Sequence, residues 1–87
     1  KEDGKVFLYP NPLRSDKLTV EIHSDKKENA VLTLLNATSQ PVFELKQSLV
    51  KGTNVITVPI QGASNGLYFL KIQQGSVQTL RKVIVQK

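Results

Sequence analysis

The chain contains no cysteine, methionine or tryptophan, one histidine, and five aromatic residues among 87. Without cysteine there is no disulfide to staple a small fold and no thiolate to hold a metal. A single histidine without thiols cannot assemble a typical zinc site. That histidine, His23, stands beside Ser24 and Asp25. Neighbours on an extended segment do not converge into a nucleophile, base and orienting group, so His23 reads as a surface residue. Asp25, Glu28 and Asn29 offer oxygens within one loop, but Lys26 and Lys27 lie between them and oppose cation capture. Gly62 and Gly66 fall between two strand-like segments, with no helix N-terminus to receive an anion. This inventory predicts no enzyme activity, no metal and no cofactor.

Long apolar runs are absent as well; none nears the ~20 residues that span a bilayer as a helix. The opening Lys1-Glu2-Asp3-Gly4-Lys5 has neither an initiator methionine nor the apolar core of a signal peptide. The sequence is therefore expected to be a piece of a longer protein, with residues 1–5 as a linker remnant. Formal net charge is +5, yet the cations are scattered, and the compact clusters are Lys26-Lys27 and Arg81-Lys82. A nucleic-acid binder would carry a denser basic stripe with aromatics to stack on bases. No nucleic-acid partner is expected, and the charge reads as solubility. A chain of this size buries only about 60–65% of the surface its unfolded form exposes, which allows one domain with a thin core.

What is present is period-two patterning. Lys17-Leu18-Thr19-Val20-Glu21-Ile22-His23 alternates strictly, with Leu18, Val20 and Ile22 on one face. Further strands are predicted over residues 6–9, 30–35, 41–46, 54–60, 67–73 and 77–86, separated by turn-forming residues. Pro10 and Pro12 lack ladder donors and must lie at an edge or in a turn. Leu32, Leu34, Ile56, Val58, Tyr68, Leu70 and Ile72 complete the expected core, and a buried Tyr68 hydroxyl would need a partner. Val31, Leu35, Phe69 and Lys71 fall on the opposite faces. Seven strands in this length predict an all-β fold, a seven-stranded antiparallel β-sandwich of immunoglobulin/fibronectin-like type.

Three segments follow one another along the chain: Tyr9-Pro10-Asn11-Pro12, then Gly66-Leu67-Tyr68 opening a strand, then Lys82-Val83-Ile84-Val85-Gln86-Lys87. This ordered set resembles the C-terminal sorting domain of type IX secretion cargo in Bacteroidetes-type bacteria, over residues 6–87. The resemblance implies a sorting motif made of Tyr9, Pro10, Asn11, Pro12, Gly66, Tyr68, Lys82, Val83, Ile84, Val85 and Lys87. It also implies partners: the type IX outer-membrane translocon and its shuttle proteins, and a sortase that can remove the domain at the cell surface. The route would be periplasm in transit, then cell surface or medium. If the closing strand is an edge strand, its free backbone groups could add to a partner sheet, with Arg81, Lys82 and Lys87 discouraging indiscriminate pairing. Two departures from the family pattern are visible: a strand-ending tyrosine is replaced by Leu35, and a turn glycine by Ser39, which implies a different turn. The alternative reading is an accessory β-sandwich module of a secreted enzyme or adhesin that binds carbohydrate or protein. A structural adhesin repeat is a third.

Overall fold

Alternation of apolar and polar side chains sets the architecture, because each strand can then offer one face to a shared core. The computed structural model describes residues 6–60 and 62–87; the expected linker remnant, residues 1–5, lies outside them. Seven strands follow one another: β1 (Val6–Tyr9), β2 (Lys17–Ser24), β3 (Glu28–Leu35), β4 (Pro41–Leu49), β5 (Gly52–Pro59), β6 (Gly66–Gln74) and β7 (Val77–Val85). They form a three-stranded sheet in the order β1-β2-β5 and a four-stranded sheet in the order β4-β3-β6-β7. All the ladders between these strands are antiparallel. The fold is the expected all-β sandwich.

The core lies between the sheets. Leu18, Val20 and Ile22 of β2 face Leu32 and Leu34 of β3 and Leu70 and Ile72 of β6, all essentially inaccessible to water. Each such side chain contributes about 1.5–3 kcal/mol relative to its exposed state. The expected core is buried throughout, and Val6, Leu13, Ala30, Leu49, Ile60, Val83 and Val85 join it.

Strand ends shift by one to three residues from expectation, β5 for example beginning at Gly52 rather than residue 54, and the shifts in β3 and β4 share one physical reason. β3 begins at Glu28 and β4 runs on to Leu49, and these two residues are register partners. Leu49 is fully buried and draws the pairing outward. The polar loop expected over residues 24–29 shrinks to a turn at 25–27. Ser24 is buried there; its hydroxyl donates to the Lys26 carbonyl at 2.6 Å and lies 2.9 Å from a Glu28 carboxylate oxygen.

The turn between β3 and β4 is built by Asn36. Its side-chain oxygen accepts from the backbone N–H groups of Thr38 (3.0 Å) and Gln40 (2.9 Å), an arrangement that short amide side chains favour in turns. Ser39 has φ of 67°, so it occupies the left-handed region that glycine would fill without strain. The serine thus keeps the corner a glycine would make. Because a left-handed residue with a Cβ costs about 1–2 kcal/mol, partly offset by the entropy of the more flexible glycine chain, Ser39→Gly should stabilise the domain by up to about 1 kcal/mol. The thermal midpoint of a domain this size should then rise, by at most about 4–8 °C. Calorimetry reads this directly, and an unchanged midpoint contradicts it.

Candidate functional site

The first motif segment joins the two sheets. Pairing of β1 with β2 ends at Tyr9, opposite Thr19, where the prolines remove the donors a ladder needs. Both X-Pro bonds, Tyr9-Pro10 and Asn11-Pro12, are cis. The chain leaves the three-stranded sheet here and runs along the outer edge of β7. The Asn11 amide nitrogen donates to the Lys82 carbonyl at 3.0 Å, and the Asn11 amide oxygen accepts from the Ile84 N–H at 3.1 Å. An asparagine amide carries both a donor and an acceptor, so it can satisfy a strand edge as a peptide group would. Two residues on, Leu13 forms an isolated parallel bridge with Val85. Its N–H donates to the Ile84 carbonyl at 2.6 Å, and its carbonyl accepts from the Gln86 N–H at 2.8 Å.

Four main-chain groups on the edge of β7 are therefore occupied: the Lys82 carbonyl, both polar groups of Ile84, and the Gln86 N–H. Leu13, fully buried, anchors the covering segment in the core. The expectation of a free edge on the closing strand needs correction, because residues 11–13 seal its second half. The same phase of backbone groups recurs at Gln78 and Leu80, ahead of the seal, where the Arg81 guanidinium donates to the Leu80 carbonyl at 3.3 Å.

Lys87 ends in the same interlock. Its ammonium lies 2.7 Å from the Asp16 carboxylate, and its N–H donates to the Asn65 side-chain oxygen at 2.8 Å. Lys87 thus ties Asp16 and Asn65 to the end of β7. Lys82 differs: its carbonyl is taken by Asn11, while the residue itself is exposed on the outer face.

The middle motif supplies the other side of β7. Gly66 pairs with Val85, and Tyr68 with Val83. Gly66 has φ of 150°, a conformation that L side chains rarely adopt. Tyr68 is 9% exposed, and its hydroxyl donates to the Ser64 carbonyl at 2.9 Å. A tyrosine bonded to backbone a few residues upstream, at the start of a strand, is similar to the tyrosine corner of immunoglobulin-type sandwiches. Val83 and Val85 point into the core, while Lys82 and Ile84 face outward.

Most of the expected motif residues therefore meet at one end of the molecule. Tyr9 departs from the group: its hydroxyl donates to a Glu21 carboxylate oxygen on the three-stranded sheet. That hydrogen bond, with burial and the Glu21 charge acting in the same direction, raises the phenol above its ordinary pKa. The sequence reading missed Leu13, Asp16 and Asn65. Leu13 alone left a trace, as an isolated apolar residue between Pro12 and Arg14. His23 is exposed, 3.8 Å from Asp25. Among the described residues, no group of three His, Cys, Asp or Glu side chains is placed to hold a metal ion.

A family model described as the secretion system C-terminal sorting domain matches residues 7–86. The chain belongs to that family. No curated protein matches it. The match covers residues 9–13, everything between them and Gln86, and stops one residue short of Lys87. As a sorting domain it is a signal for type IX secretion, and it implies export to the cell surface or the extracellular space. Such a signal is not itself catalytic. The accessory binding module is not favoured.

Proposed function

We propose that residues 6–87 act as one folded signal, read in the periplasm by the type IX outer-membrane translocon and its shuttle proteins. Residues 1–5 would belong to the linker from the cargo, and a cell-surface sortase would cut before β1. On this reading, the cargo supplies any catalysis and the domain none. Tyr9, Pro10, Asn11, Pro12, Gly66, Tyr68, Lys82, Val83, Ile84, Val85 and Lys87 form the sorting motif. Most of them create and hold the surface that is read, and Lys82 and Ile84 are exposed upon it.

The observation that carries this reading is the double hydrogen bond from Asn11 to Lys82 and Ile84. It joins the first and last motif segments into one unit, so an intact motif reports a completed fold. A partner that reads the unit would accept folded cargo tails and reject open ones.

The test is a reporter fused ahead of residue 1 in a type IX-competent host. The fusion should reach the surface or medium there, and stay in the periplasm of a host lacking the translocon. Equal release from both hosts would refute the reading and restore the binding module. Mass spectrometry of the released reporter would locate the sortase cut; a product still carrying β1 would remove that step from the scheme.

A further inference from the structure

We propose that the outer face of the four-stranded sheet is the docking surface, and that its partner is a protein presenting carboxylates interspersed with apolar side chains. The register builds this face row by row. Ile84 of β7 stands beside Leu67 of β6, Lys82 beside Phe69, and Leu80 beside Lys71. Beyond Lys71 the row continues through Thr33 to Glu44 of β4, and Lys46 lies one row further along. Leu80 is 53% exposed, Leu67 39% and Ile84 38%. The face thus offers an apolar strip with three ammonium groups, Lys46, Lys71 and Lys82, against the single carboxylate of Glu44. The ion pairs His23–Asp25 and Lys87–Asp16 do not involve these three lysines.

Charge selects the occupant. A second copy of the same face would set lysine against lysine, which like-charge repulsion disfavours. A bilayer surface wants apolar side chains together with cations at their rim; here Lys71 and Lys82 alternate with Leu80 and Phe69 across adjacent strands, at one depth. A protein can place carboxylates opposite each ammonium and apolar atoms opposite each leucine, and such complementarity sets both register and encounter rate. The seal on β7 agrees with this, since residues 11–13 block edge-on strand addition along its second half and leave the face open. In taking the partner to be a component of the export machinery, the inference rests on the sorting reading.

The test compares three versions of the reporter fusion in the type IX host: wild type, Lys71→Glu with Lys82→Glu, and Lys26→Glu with Lys27→Glu. The last makes the same change in net charge on the turn between β2 and β3. Export of the face variant should fall by about tenfold or more, as expected when like charges meet at a docking site, while the turn variant tracks wild type. Leu80→Ser should also reduce export. Thermal midpoints of the free domains should agree. Should the double variant melt lower, Lys82→Glu alone, exposed on its strand, carries the same comparison. Export of the face variant at the wild-type level, or an equal fall in both charge variants, overturns the docking face. Failure of the wild-type fusion to be exported overturns the sorting reading, and this inference falls with it. Binding of wild type to phosphatidylglycerol vesicles, lost in the face variant, would assign the face to lipid. A dimer in sedimentation, lost in the same variant, would assign it to a second copy.

Discussion

Removal of residues 83–87 should abolish the fold and export together. The truncation takes away Val83 and Val85, which are 0% and 1% exposed. Two buried valines are worth about 3–6 kcal/mol by area, while a chain of this size has roughly 4–13 kcal/mol in total. It also strips the partners of Gly66, Leu67 and Tyr68 and deletes the groups that Asn11 and Leu13 bind. Circular dichroism should show loss of the cooperative transition. Asn11→Ala isolates the interlock from the core. Two hydrogen bonds are lost at about 0.5–1.5 kcal/mol each, with the lower end expected because Asn11 is exposed and water can replace it. The domain should stay folded, exchange of the Ile84 amide should accelerate selectively, and export should decline. Normal export with a freely exchanging Ile84 amide would show that the interlock is dispensable for sorting.

Tyr68→Ala should destabilise the domain by about 3–5 kcal/mol, as large aromatic truncations in cores do. Tyr68→Phe should cost only about 0.5–1.5 kcal/mol, because it removes the bond to the Ser64 carbonyl and keeps the ring. The pair of urea midpoints divides the residue into packing and hydrogen bonding. A near-wild-type midpoint for the alanine variant would contradict the buried ring. If that variant does not fold at all, the phenylalanine variant still measures the hydroxyl.

The strands were legible wherever one face is buried and the other wet. Leu18, Val20 and Ile22 announce β2 because the pleat requires alternation, and Tyr68, Leu70 and Ile72 do the same for β6. Strand ends were less legible, since the partner's reach decides them: nothing in Gln47-Ser48-Leu49 signals a strand until Leu49 is seen opposite Glu28. Beyond the isolated apolar Leu13, the interlock was not legible. Its hydrogen bonds join residues 71 and 73 apart in sequence, and a single parallel bridge leaves no periodic trace. Asn11 before Pro12 reads as a turn residue, and only the fold reveals that its amide stands in for a missing strand. Most of the residues grouped by the motif resemblance lie together at the edge of β7, where Asn11 bonds to Lys82 and Ile84.

The bonds from Asn11 to Lys82 and Ile84 also impose an order in time. Contacts this distant along the chain must close a long loop before they return any stabilisation, the feature that makes β-rich topologies slow to fold. The first bond cannot exist until residue 82 has arrived beside residue 11, nor the second until residue 84 has. A chain delivered through a pore in sequence order therefore remains unlatched while almost all of the domain has already passed, and it closes only when its last strand is free.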